Sequence, residues 1–277
     1  MDQRTRRQAY EQRQRKRSLI IAFLSTSVVI GAIVVLIPLL PRWDRVRKSF
    51  FDGEIFADSF PRLLRAFWLD VQIFAWSVPL IFALSLAIAV SRNTRSPALF
   101  PLRAAAVIYT DVFRGVPVIL TIFLIGFGVL GLFDSRAWSN PLIWGTAALV
   151  LSYSAYVSEE IRAGIEGVHE SQRAAARSLG MSTSQTMSTV VLPQALRRIV
   201  PPMMNSLVSL QKDVALVSLI GPIEILRQAG LDKSKFANFT PYVAAAVIFL
   251  AVTIPCTRIA DYLLNRERRR TGATAVS

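Results

Sequence analysis

Stretches of about twenty apolar residues recur along this chain, the first from Ser18 to Leu40. At a rise of about 1.5 Å per residue, such a run as a helix crosses a hydrocarbon core of about 30 Å. Further runs lie at about Phe67–Val90, Ala104–Phe133, Pro141–Val157, Pro202–Ile220 and Pro241–Leu264. Of the 277 residues, 53% are hydrophobic and only 18% charged, below the share of about 25% usual for soluble domains. The fold class expected is therefore all-α and polytopic, with about six transmembrane helices. The ten-residue alternation of an outer-membrane barrel is absent.

A net charge of +14 would point to nucleic acid in a soluble protein. Here the basic residues sit in loops and tails, where orientation in the membrane accounts for them, and no nucleic-acid partner is expected. Arg13, Arg15, Lys16 and Arg17 close a polar tail, residues 1–17, directly before the first apolar run. That tail suits contact with anionic lipid. The run behind it is too long for a signal-peptide core and has no A-x-A site after it, so it reads as a retained helix. A single cysteine, Cys256, excludes an intrachain disulfide, and with a single histidine, His169, no His/Cys metal site is expected. Neither a phosphate loop nor a G-x-S-x-G nucleophile is present, so no catalytic residue is expected.

Basic residues order the topology. Arg92 and Arg95 stand without an acid in the 91–96 loop. Arg173, Arg177, Arg197 and Arg198 stand without one between Ser171 and Pro201. The positive-inside rule puts both segments, and both basic tails, in the cytoplasm. Two cytoplasmic tails require an even number of spans, which six satisfies. Phe56, Phe60, Leu63, Leu64 and Phe67 fall on one helical face. Residues 41–66 therefore read as an external segment with a helix along the interface, or as a connecting loop. The third span is interrupted by Gly115 and Pro117. Asp111 and Arg114, three residues apart, can pair on one face. Two arrangements fit: a broken helix facing protein or water within the membrane, or a helix that begins at the cytoplasmic surface. Residues 134–140 and 221–239 read as outer loops.

The long polar loop Ser171–Pro193 needs its own account. Ala174, Ala175, Ala176 and Leu179 favour a helix that Ser171 can cap. Gly180 can end that helix in a left-handed conformation. Ser182 and Gln185 have capping-box spacing and start a second helix, which Pro193 is expected to bend. The result is a compact knob of small residues suited to docking in a groove.

Within this loop the residues resemble the permease subunits of ATP-binding-cassette importers. Their pattern E-A-A-x₃-G-x₉-I-x-L-P is matched in spacing by Ala174-Ala175-Ala176, Gly180, Val190 and Leu192-Pro193. Ala174 replaces the family's glutamate and Val190 its isoleucine. Ala155–Gln172 is similar to the A-Y-x-x-E-x-x-R segment of polar amino-acid permeases, Phe113–Leu120 to their F-R-G-T-P segment, and Leu192–Ser218 to their L-P-Q-A…K-D-T-S-L-V-S run, with Val214 and Ala215 for Thr-Ser. The resemblance spans residues 60–264.

It implies a permease core over 67–264, preceded by an extra helix at 18–40 and followed by a basic cytoplasmic tail, 265–277. It also implies import of polar amino acids such as glutamate or glutamine. The partners implied are ABC ATPase subunits that bind ATP and magnesium, a solute-binding protein, and a second permease copy or homologue. This chain itself would hold no cofactor or metal and would not be an enzyme. Gln172, Arg173, Ala174, Ala175, Ala176, Arg177, Leu179, Gly180 and Pro193 would form the ATPase-coupling element. Arg114, Asn205, Lys212 and Asp213 are the polar candidates for a substrate pathway. A carrier without an ATPase would commonly show duplicated halves, and no repeat is evident.

Overall fold

The computed structural model describes residues 3–93, 96–129, 132 and 138–273, and every regular element among them is helical. The expected outer loop 134–140 and cytoplasmic loop 91–96 lie partly outside those residues. The chain divides into residues 1–53 and 54–277.

In the first unit α1, Gln3–Leu36, carries the basic tail and the first apolar run as one helix. It stops four residues short of the expected Leu40 because Pro38 disfavours helical backbone at Ile37. α2, Trp43–Phe50, has Asp44 in its first turn and Arg47 and Lys48 in its last, charges that complement the helix dipole.

The second unit begins with α3, Gly53–Asn93. The expected boundary near residue 66 does not exist: α3 is one helix of 41 residues with Pro61 and Pro79 inside it. The physical reason is an unbroken stripe. Ser59, Leu63, Phe67, Asp70, Ile73, Ser77, Ile81, Ser85 and Ile88 are buried at helical spacing, so one face packs from end to end. Leu64, expected on that face, is exposed.

α4, Phe100–Gly115, and α5, Val118–Gly128, are bent by 108° about the expected break. Val116 before Pro117 is extended, as its proline requires. α6, Pro141–Glu166, is capped by Asn140, whose Oδ1 accepts from the Leu142 N–H at 3.0 Å. It runs nine residues past the expected end at Val157.

α7 is Glu170–Ser178, and α8 is the single turn Thr183–Gln185. A π-turn over Thr186–Val191 leads without a break into α9, Leu192–Asp213. The expected bend at Pro193 is replaced by this π-turn. Its wider ring makes room for a proline that brings no N–H and whose ring crowds the carbonyl four residues back. α9 thus begins ten residues before the expected span at Pro202, and Val214–Ile220 follows as a 3₁₀ helix. The expected loop 221–239 instead contains α10, Ile225–Phe236. Glu224 caps it, accepting from the Leu226 and Arg227 N–H groups, both at 2.8 Å. α11 is Thr240–Ala273.

Among the described residues, three helices are long and apolar enough to cross a membrane, and up to five spans result if each bent pair counts as one. The fourth expected span, α6, does not meet that measure, although its 26 residues reach about 39 Å. Its buried positions explain this. Gly145, Ala148, Ser152, Ser154, Ala155, Ser158 and Gly164 are small or hydroxylated because they face protein rather than lipid.

Three apolar clusters hold the second unit. The central one joins Ile73 and Ile81 of α3, Ile122 of α5, Leu149 and Tyr153 of α6, Leu210 of α9, and Val217. A second joins Leu63 and Phe67 to Ile225 of α10 and to Ala244 and Ile248 of α11. A third, small cluster gathers Val168, Val191, Ala195 and Ile199 beside α7.

Candidate functional site

The polar loop folds as a short helix closed by a tight turn. The N-cap is His169 rather than the expected Ser171; its Nδ1 accepts from the Ser171 N–H at 3.3 Å. At the other end Gly180 has φ +78°, a conformation that costs glycine nothing and resists a Cβ. Its N–H donates to the Arg177 carbonyl at 2.9 Å, and that of Met181 to the Ala176 carbonyl at 3.2 Å. These two bonds are the Schellman pair that satisfies the last carbonyls of a helix. The Ser182 and Gln185 capping box is present, at 3.2 and 2.8 Å.

The knob's surface follows. Gln172, Ala174, Ala175, Arg177, Leu179 and Gly180 are exposed, Leu179 to 83%. Ala176 is buried against the body of the protein. Arg173 is turned inward and donates to the Ile165 carbonyl at the end of α6. It braces the knob, so Arg177 is the exposed cation of α7. Pro193 is exposed on α9, away from the Gly180 turn in the chain. A polar cavity of about 570 Å³ is lined by Glu170, Arg173, Arg177, Thr183 and Thr186 among others.

An ionic hub joins the helix ends leading to the knob. Glu159 accepts from Arg92 of α3 at 2.7 Å and from Arg162 of its own helix, with Arg114 of α4 at 3.9 Å. Arg162 also pairs with Glu166. Hydrogen bonds from Arg162, then Arg92, hold the Glu159 carboxyl at about 2, far below the usual carboxylate range. Arg114 therefore meets Glu159 rather than the expected Asp111. One residue on, Glu160 accepts from Ser206 of α9 at 2.5 Å, and burial raises its carboxyl pKa.

The pathway candidates of α9 separate as a helix requires. Asp213 accepts from the Tyr153 hydroxyl at 2.8 Å, which ties α9 to α6. Lys212 is exposed, as are Ser209 and Asn205, on one stripe at seven-residue reach. Arg114 lies apart from them at the hub. Sequence reasoning had not singled out Tyr153 or Arg92 as partners, because the contacts of both are set across elements.

The comparisons agree with this architecture. Residues 98–270 match the family model described as binding-protein-dependent transport system inner membrane component. A probable amino-acid ABC transporter permease, PatM of Vibrio harveyi, is 31% identical over 78% of this chain and 97% of its own length. The probable glutamine ABC transporter permease GlnM of Bacillus subtilis is 31% identical over 77% and 96%. In the crystal structure of an amino acid ABC transporter with histidines, a chain superposes with a TM-score of 0.62 at 31% identity, covering 77% of this chain and 94% of that one. The methionine transporter MetNI, at 17% identity and a TM-score of 0.59, shares the fold. A family match over more than half the chain, and relatives aligned over nearly their full length, settle the assignment: this multi-pass membrane protein belongs to the binding-protein-dependent inner membrane components and is the permease subunit of an ABC importer of the amino-acid permease family, with ATP hydrolysis in a separate subunit.

Proposed function

We propose that this chain imports an α-amino acid across the cytoplasmic membrane, with both termini in the cytoplasm and α7 as the element gripped by an ATPase. The observation that carries the reading is the knob itself: a capped, Schellman-closed helix whose exposed face is Gln172, Ala174, Ala175, Arg177 and Leu179. Small side chains allow close approach, and an 83%-exposed leucine beside a water-facing turn is a ready docking tip. Ala174 offers no charge, so the grip rests on shape and on Arg177. Arg173 stiffens the knob against α6, and the hub at Glu159 links that helix to α3 and α4. Closure of two ATPases, which bind ATP and magnesium, would move these ends as a rigid body.

The stripe Asn205, Ser209 and Lys212 supports a pathway or a permease–permease contact along α9. Polar groups on a membrane helix face protein or water rather than lipid. A solute-binding protein on the outer face and a second permease copy or homologue complete the assembly. Relatives are named for glutamine, glutamate, arginine and L-cystine, and the cargo expected from the sequence alone is glutamate or glutamine. The test is uptake of a labelled amino-acid panel into vesicles carrying the full complex, with and without ATP. ATP-dependent uptake is expected. Equal uptake without ATP identifies a carrier instead, and no uptake of any amino acid overturns the reading.

A further inference from the structure

Where α3 ends and α4 begins, a cavity of about 470 Å³ opens against α6. Its wall has two halves. Arg92, Arg103, Arg162 and Glu166 form the charged half. Phe100, Ala104, Val107 and Ile108, all on α4, form the apolar half. Their three- and four-residue spacing places them on one face of that helix. Ile108 lies about 7.5 Å farther along α4 than Arg103. It is 63% exposed, and Phe100 is 57% exposed. The face therefore runs from a basic rim into the apolar depth of the bilayer.

The charge at the rim is out of balance. Glu159 and Glu166 pair with Arg92, Arg114 and Arg162. With Arg103, the cluster has four arginines against two glutamates among the described residues. The Arg103 guanidinium lies 5.3 Å from the centre of the Phe100 ring, which holds it at the rim. α4 starts with no acidic residue in its first turn and no side-chain cap, so its amide end adds to the positive field. The missing complement is an anion. Free phosphate, or a carboxylate of another protein, would answer the arginines and leave Val107 and Ile108 bare. A phospholipid of net negative charge answers both halves. Basic pockets between membrane helices on the cytoplasmic side bind anionic headgroups in this way.

We propose that this cavity binds an anionic phospholipid of the cytoplasmic leaflet, its phosphate at Arg103 and Arg162 and one acyl chain along Ala104, Val107 and Ile108. The choice of leaflet rests on the orientation proposed above; the site itself does not. The bound lipid fastens the start of α4 to the helix ends gathered at Glu159.

The test places the full complex in phosphatidylcholine nanodiscs doped with phosphatidylglycerol that carries a diazirine in one acyl chain. After irradiation, mass spectrometry locates the label, and labelling of α4 between Arg103 and Ile108 is expected. Phosphatidylcholine with the same diazirine is expected to label that stretch about fivefold less, the effect of one basic contact near the surface. Equal labelling by the two lipids identifies general acyl contact and overturns the proposal. Glycerol phosphate, a headgroup without chains, is expected not to displace the label; displacement identifies a free-anion site and overturns it. Arg103→Gln is expected to remove the preference for phosphatidylglycerol, and Arg103→Lys, which keeps the charge, to retain it. A preference unchanged in Arg103→Gln overturns the site, and one lost equally in Arg103→Lys overturns the charge contact. Absence of label on α4 identifies a face covered by protein, such as the second permease, and overturns the proposal. Nanodiscs present both leaflets to the probe, so none of these outcomes depends on orientation. ATP-dependent amino-acid uptake is measured in liposomes of the same lipids. Its absence in all of them overturns the transport reading and leaves the lipid site standing, whereas uptake without preferential labelling overturns the lipid site alone.

Discussion

Arg92, in the last turn of α3, donates to Glu159 near the end of α6 at 2.7 Å, across 67 residues of sequence. With Arg162 on the same carboxylate and Arg114 at 3.9 Å, one side chain gathers the ends of α3, α4 and α6. Charge-assisted bonds of this kind contribute more than neutral ones. Glu159→Gln is expected to destabilise the complex by about 1–3 kcal/mol at pH 7. The pH dependence has a definite sign. The folded-state pKa of about 2 lies below the ordinary 4.5, so the contribution is complete above about pH 4.5 and is lost as pH falls toward 2. The gap in thermal stability between wild type and E159Q should therefore narrow on acidification below pH 4.5. A gap that widens there contradicts the hub.

The turn after α7 should tolerate no side chain without strain. Gly180→Ala places a Cβ at φ +78°, where no neighbour lies within 4 Å, so any effect is conformational rather than steric. The expected cost is about 1–2 kcal/mol, local to the knob. Uptake and ATPase stimulation should fall together while the membrane core keeps its melting temperature. Leu179→Ser, at an exposed position, should leave stability unchanged and weaken co-purification with the ATPase.

α6 and α9 approach closely at Gly164. A Cβ there would collide with the Ile199 Cγ1 and lie 3.1 Å from its Cδ1. Gly164→Ala is expected to destabilise by about 1–3 kcal/mol through overpacking. Ile199→Ala in the same chain should recover part of that loss. A double-mutant cycle showing no coupling between the two positions would argue against this crossing.

Lys212 and Asp213 are adjacent yet have separate roles. Asp213→Asn keeps an oxygen for the Tyr153 hydroxyl and should retain stability, whereas Tyr153→Phe removes the donor at a buried site and should cost about 1 kcal/mol. Lys212→Met should lower uptake without loss of stability. Normal transport in both Lys212→Met and Asp213→Asn removes this segment from the pathway.

The knob was legible in the sequence because its determinants are local. A glycine that adopts a left-handed turn, a Ser and Gln at capping-box spacing, and alanines on a short helix act within a few residues of one another. The break at Gly115–Pro117 was legible for the same reason. His169 displaced Ser171 as the cap because a ring nitrogen can fill a role usually held by an oxygen. Asp111 and Arg114 were within reach of each other, but Glu159 lay closer to the guanidinium once α4 and α6 had packed.

Sequence alone determined the helical class, the apolar runs, the basic loops and the shape of the Ser171–Gly180 turn, all consequences of interactions between near neighbours in the chain. Tertiary structure alone decided where the helices end and what faces them. α3 ran on through residue 66 because a buried stripe outweighed two prolines. α6 could be poor in large apolar side chains because its surroundings are protein. Asp70 and Gln211, 141 positions apart in the numbering, share a cavity because three helices meet there. Packing sets such meetings between distant residues, and no local pattern encodes them.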